Sequence, residues 1–430
     1  VVITREGTIH RVSPQEINLM DADWVGQAPR YPAARTLVVS LPGVDVGSLI
    51  DYEIEQSFHD QPFFSMIHSF ADFNRLESSV LRVSVPDTMP LQVRDMTGGD
   101  VAFCEESRDG RRILTWNTGA REATAREDAM PPWWSFNPTV FLSAGNWTSY
   151  AAEVSASLEA AAAGQTAAEA RGRKLVEHLE DAGARVKAIR DDVAVAIRPG
   201  GPGLAELPLT AVSPADMTLR ERYGHSADRA ILLAAMLRAA GLTAEFVLAA
   251  PGGSRVAFLR QPWWDCPQRD QPNDVLVRVR CDDQTIYLND SDQYARLGTT
   301  INEGRPGMDM DGKPIVIDVP PDLRTRTVGR YVVDMEADGD AVISSRDEFY
   351  GAAFGAFHRF FAELTPEERR RHYEEMAADI AQAAVAQGEL KTDTGVYPGI
   401  KEFCVRVDHF GVRTGRYLYL TLPGSADGVL

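Results

Sequence analysis

The chain has 430 residues, 44% hydrophobic and 25% charged, and a formal net charge of −18. That length exceeds one ordinary core and predicts two or three domains. The acidic balance, with Lys and Arg scattered, opposes a phosphate backbone and excludes nucleic acid as a partner. No run approaches the roughly 18 apolar residues that a membrane helix needs, so no transmembrane segment is expected. Four cysteines, Cys104, Cys266, Cys281 and Cys404, show no CxxC spacing, so neither a metal site nor any other cofactor is expected. Cys266 with Cys281 would form a disulfide if they met in space; four unpaired thiols is the equal alternative. The sequence opens at Val1, without Met or signal peptide and inside a strand pattern, which suits a fragment whose targeting segment lies outside it.

Residues 1–148 read as β. Alternating runs at Thr36–Leu41, Leu49–Ile54, Val80–Val85 and Arg112–Trp116 are separated by turn residues such as Pro42-Gly43 and Asp109-Gly110. Strands at this spacing predict an antiparallel β-sandwich. Met130 to Trp134 then reads as a surface loop with aromatic anchors. From about residue 149 the pattern becomes helical: an Ala-rich helix ended by Gly164, a second over Thr166–Ala182, and a third over Arg185–Ala196 with one apolar stripe.

The densest signal follows. Ser226 to Ala240 is apolar almost all round, which marks a buried helix, and Gly241 supplies its stop. A strand at Ala244–Leu248, a long loop carrying Trp263 and Trp264, and a hairpin of Val275–Val279 and Thr285–Leu288 around Asp282-Asp283 come next. From residue 322 to the end the chain reads as a small α+β unit. It has a hairpin around Gly339, a helix of some twenty residues opened by the capping box Thr365-Pro366-Glu367-Glu368, and late strands at Glu402–Val407 and Arg416–Leu422.

The segment Gly224-His225-Ser226-Ala227-Asp228-Arg229-Ala230, followed by Leu232-Leu233 and Leu237-Arg238-Ala239-Ala240-Gly241, resembles the nucleophile helix of bacterial transglutaminase-like domains, Gly-x-Cys-x-Asp-x-Ala. Residues 1–148, with Gly47-Ser48-Leu49-Ile50-Asp51-Tyr52 and Trp116, resemble the β domain of unknown function that precedes such domains. The resemblance implies an α+β chain of three parts: a sandwich at 1–148, a papain-like core at 149–321 with a buried helix on an antiparallel sheet, and a small domain at 322–430. It also implies a periplasmic or secreted location.

In that family a cysteine at the start of the helix is activated by the helix end and by a histidine, which an aspartate orients. Here the nucleophile position holds Ser226. The histidine position, in Asn273-Asp274-Val275-Leu276-Val277, holds Asp274. The aspartate position, in Tyr287-Leu288-Asn289-Asp290-Ser291, holds Asn289, or Asp290 after a shift of one residue. Independently of any resemblance, no histidine lies between Ser226 and Phe357, and a carboxylate of reference pKa about 4 is a poor base for a hydroxyl.

Ser226 also reads simply as the helix N-cap, with Asp228 in the first turn beside Arg229 or Arg222. His225 points about 100° away from Ser226 on a helix and reads as a surface or backbone-bonding residue. Cys266 offers a thiol nucleophile, but in a loop with no histidine nearby it reads as packing or a disulfide partner. Trp263 and Trp264 read as loop packing, or as the wall of a groove for a peptide or glycan. The expectation is a catalytically silent protein that acts in binding or scaffolding at the cell envelope, with a protein, peptide or glycan as its ligand. The alternative is a hydrolase or acyltransferase with an altered nucleophile.

Overall fold

The computed structural model describes residues 1–421 except 33, 129, 282 and 283, and the side chain of Trp263. The fold is mixed α+β with antiparallel sheets. By internal contacts the chain divides into two units. The first holds Val1–Lys174, Ala196–Val277 and Arg305–Val316; the second holds Leu175–Val195, Arg278–Gly304 and Ile317–Leu430.

The first unit opens with β structure. In one sheet β2 (Ser79–Pro86) and β4 (Ala102–Arg108) flank β5 (Arg111–Thr118). In another β1 (Ser65–Ser69) and β3 (Gln92–Met96) flank β6 (Thr139–Ser143). Every pairing is antiparallel. Alternation explains the layers: Leu81, Val83 and Val85 are buried, while the residues between them face out. These three, with Leu114 and Trp116, meet Val140 and Leu142 in one core, which makes the pair of sheets a sandwich. The run expected as a strand over Leu49–Ile54 pairs only at Leu49–Ile50, against Val2–Ile3. Trp133 anchors its segment as expected, its indole N–H donating to Ser69 Oγ at 2.7 Å.

Helices α1 (Trp147–Ala162) and α2 (Thr166–Val176) follow; α2 stops short of Ala182, where the Leu179 N–H closes a turn on the Val176 carbonyl. Helix α3 (Ala182–Ala196) belongs to the second unit; in the first, α4 (Ala215–Glu221) precedes α5 (Ser226–Ala239). Ten of the fourteen residues of α5 are buried, so packing and not amphipathicity places it. Its end is a Schellman motif. Gly241 sits at φ 79°, its N–H donates to the Arg238 carbonyl, and the Leu242 N–H reaches the Leu237 carbonyl, both at 3.0 Å. Beside α5 runs a sheet in which β7 (Ala244–Ala249) lies between β8 (Asp274–Cys281) and β10 (Pro306–Asp309), with β11 (Pro314–Val316) outside β10. The last two strands carry no alternation and start on prolines, so the sequence hides them. The expected loop after β7 contains a short helix, α6 (Gln261–Asp265).

In the second unit β9 (Gln284–Leu288) forms as expected; the Asp282-Asp283 turn lies outside the described residues. Four antiparallel strands, β12 (Arg326–Met335), β13 (Ala341–Tyr350), β14 (Ala384–Asp393) and β15 (Gly399–Val407), lie in the order β12-β13-β15-β14. Helices α7 (Ala352–Glu363) and α8 (Pro366–Ile380) cover one face, with Phe357, Phe361, Tyr373 and Ala377 on Ile343, Val405 and Val407. The expected capping box is present: Glu368 N–H donates to Thr365 Oγ1, and Thr365 N–H to the Glu368 carboxylate. Of the expected last strand, Tyr417–Tyr419 is a strand, and Leu422 lies outside the described residues.

Candidate functional site

The site is built where the chain enters α5. Tyr223–Gly224 runs extended and parallel to Arg198–Pro199. A Cβ on Gly224 would stand 3.1 Å from both Asp228 Cβ and Thr218 Cγ2, so only glycine passes here without displacing a neighbour. The next residue, His225, is the N-cap: φ −71°, ψ 175°, with Nδ1 accepting the Ala227 N–H at 3.0 Å. This corrects the reading of Ser226 as the cap. The helix begins at Ser226, and an imidazole nitrogen one residue earlier does what an Asn oxygen would. His225 is 3% exposed, so its placement at the surface is corrected as well, while its bond to a backbone group is as expected.

Relieved of capping, the Ser226 side chain turns to β8. Its hydroxyl donates to the Asp274 carboxylate, accepts the Val275 N–H at 2.9 Å and lies 3.3 Å from the Val275 carbonyl. Two residues singled out 48 positions apart in sequence are thus in direct contact. The contact pairs a hydroxyl with a carboxylate, and an amide donor occupies the oxygen's lone pair.

Asp228 faces the other way. It is fully buried and accepts the Tyr31 hydroxyl at 2.6 Å, the Arg30 guanidinium at 2.9 Å and the Ser213 N–H at 2.7 Å. Its ionic partner is Arg30, which corrects the expectation of Arg229 or Arg222. Arg30 also bonds Glu221 at 2.8 Å and the Tyr223 carbonyl at 3.0 Å, and the Tyr31 hydroxyl accepts the His225 N–H at 2.8 Å. Burial works against the Arg30 charge; Tyr31, Asp228 and Glu221 outweigh it and hold the guanidinium above its ordinary value. Arg30, Tyr31 and Ser213 carry no local motif, and Arg30 and Tyr31 lie almost 200 positions before Asp228, so the sequence offered no signal for them.

The cap fixes the state of His225. An accepting Nδ1 leaves the proton of the neutral ring on Nε2, which lies 3.6 Å from Asp228 Oδ1, beyond hydrogen-bond reach. Burial pushes the imidazole below its ordinary value; Asp228 raises it and Arg30 lowers it. With the folded value below the unfolded value of about 6.5, the unfolded chain takes up the proton first. The contribution of His225 to stability is full above that pH and is lost as the pH falls through the folded value. In His225→Asn, where an amide oxygen keeps the cap, stability should fall less steeply than in the parent below about pH 6.5. Urea unfolding across a pH series measures this, and equal slopes would refute it.

The other expected residues have structural partners. In the second unit Asn289 is 7% exposed and adopts φ 97° at the end of β9. Asp290 accepts the Thr300 hydroxyl and the Asn302 side-chain amide, the latter at 3.0 Å, and so organises the loop that follows β9. In the first unit Trp263 and Trp264 lie on α6 and not in a loop, which corrects that expectation. The Trp264 carbonyl accepts the Trp147 indole N–H at 3.2 Å and the two rings pack 5.9 Å apart, while the Trp263 side chain lies outside what is described. Cys266 is 1% exposed and burial pushes its thiol up to about 11, the opposite of an activated nucleophile. Among the described residues no group of His, Cys, Asp and Glu could hold a metal ion, and no helix is long and apolar enough to cross a membrane.

The arrangement is that of a mixed α+β protein whose buried helix presents Ser226 to Asp274, the first residue of a strand. Its N-terminal residues 1–120 match the model of a domain of unknown function with solved structure, DUF3857. A search of curated proteins gave no match. Among solved structures, a "putative protease" from Parabacteroides distasonis is similar over 94% of this chain and 81% of its own, at 16% identity and a TM-score of 0.60, which is a likeness of fold. A "putative cysteine protease" from Cytophaga hutchinsonii aligns over 52% of this chain and 70% of its own, at 13% identity; its TM-score of 0.23 carries no argument.

Proposed function

We propose that this chain is a catalytically silent protein of the transglutaminase-like, papain-type group and that it acts by binding. The observation that carries this reading is the Ser226 hydroxyl, held at one end by Asp274 and at the other by the Val275 amide. A serine oxygen becomes a nucleophile when a base of suitable pKa takes its proton. Here the hydroxyl donates to a carboxylate, a poor base for it, the oxygen accepts an amide, and no histidine occurs between residues 226 and 357. The ligand would be a protein, peptide or glycan of the bacterial cell envelope, the chain being periplasmic or secreted. The natural division of labour is a sandwich at 1–148, the silent core at 149–321 and a small α+β domain at 322–430.

The test is a panel of glutamine peptides assayed for hydrolysis, deamidation and amine incorporation. The expected result is no turnover above the buffer rate, for the parent and for Ser226→Ala alike. Robust turnover that Ser226→Ala abolishes would sink the proposal.

A further inference from the structure

In the second unit, the face of the four-stranded sheet turned away from α7 and α8 carries a cavity of about 470 Å³. That is the size of a small-molecule site. Strand register decides what lines it. Arg330 of β12 lies opposite Arg346 of β13, Arg346 opposite Glu402 of β15, and Glu402 opposite Lys391 of β14. The adjacent row reads Val332, Ser344, Cys404 and Gln387. Between Gln387 and Lys391 the ladder slips, and Gly388 takes φ 71°. A Cβ on Gly388 would meet nothing within 4 Å, so the bulge borders open space.

The charge of the first row is unusual for this chain. Within the row three cations share one carboxylate, and Glu389 on the bulge adds a second to the lining, which still leaves the cavity with more cations than carboxylates in a chain of net charge −18. Glu402 is taken by Arg346, whose Nε also lies 3.5 Å from Glu348. Among the described residues no carboxylate pairs with Arg330 or Lys391. Like charges directly opposite on neighbouring strands repel, and Arg330, facing the already paired Arg346 with no carboxylate of its own, is relieved by an oxyanion set between the two guanidiniums. Val332, 58% exposed in the next row, offers an apolar contact, and Ser344 and Gln387 offer hydrogen bonds.

We propose that this cavity binds a small organic ligand carrying a carboxylate or phosphate, with the oxyanion between Arg330 and Arg346 and the body along Val332, Ser344 and Gln387. The site is independent of Ser226 and stands or falls apart from the silence of that residue.

The experiment is calorimetric titration of the full chain with three probes: inorganic phosphate, N-acetyl-alanyl-alanine, and the same dipeptide with an amidated C-terminus. The expected result is one oxyanion bound per chain and no binding of the amide. Arg330→Gln, at an exposed position, should keep the parent melting temperature and weaken binding about tenfold or more. Binding of the dipeptide alone identifies a carboxylate ligand, and binding of phosphate alone a phosphate ligand; either supports the site. No binding of either oxyanion at millimolar concentration would overturn it, as would equal binding by the amide or by Arg330→Gln.

Discussion

Asp228→Ala is expected to cost about 3–5 kcal/mol of unfolding free energy, the usual loss when one partner of a buried ion pair is removed. The carboxylate has no exposed surface and satisfies three donors at once, from Tyr31, Arg30 and Ser213. Alanine would leave the Tyr31 hydroxyl, the Ser213 amide and one N–H of the Arg30 guanidinium short of an acceptor, although the same nitrogen keeps the Tyr223 carbonyl. Arg30, with 11% of its side chain exposed, could not recover that bond from bulk water. Its link to Glu221 would remain, so the guanidinium is only half abandoned and the loss should sit toward the lower end of the range. Asp228→Asn, which keeps the shape and one acceptor oxygen, should lose less. Urea unfolding followed by circular dichroism reads the difference; a loss below about 1 kcal/mol, the scale of a surface pair, would contradict the network. The same network holds the entrance to α5, because the His225 amide donates to the Tyr31 hydroxyl.

Gly172→Ala carries the second large effect. In an exposed helix this change would stabilise by about 1 kcal/mol. Here an added Cβ would lie 2.5 Å from the Met236 carbonyl oxygen and 2.8 Å from Met236 Cα. Those are backbone atoms of the buried helix α5, and α5 cannot yield without shifting its own packed neighbours. The expected outcome is a net loss of about 1–2 kcal/mol, overpacking exceeding the gain in propensity. Thermal unfolding of the variant measures it, and a raised melting temperature would refute the close approach of α2 to α5.

The buried helix and the fold class were legible because they rest on local pattern. Ser226 to Ala240 is apolar almost all round, Gly241 is the residue a Schellman stop needs, and the alternation over Val80–Val85 needs no tertiary knowledge. The Ser226–Asp274 contact was legible by resemblance alone, since the two lie on separate elements. What escaped the sequence escaped for definite reasons. Strands β10 and β11 are too short to alternate. Helix α7 is rich in aromatic residues and interrupted by Gly355, so its propensity is weak and its packing on the sheet decides. The cap was assigned to Ser226 because serine is the commoner N-cap; His225 took it, a choice that tertiary burial makes and propensity does not. The partner of Asp228 was sought nearby at Arg222 and Arg229, and it came from Arg30, near the start of the chain.

Whether Ser226 is a nucleophile is read most directly by intact-mass spectrometry of the full chain after exposure to a fluorophosphonate, which labels activated serines. No adduct on Ser226 is expected, because its oxygen accepts the Val275 amide and its hydroxyl is held in a hydrogen bond to Asp274, a poor base for it. A stoichiometric adduct mapped to Ser226, and lost in Ser226→Ala, would contradict that expectation.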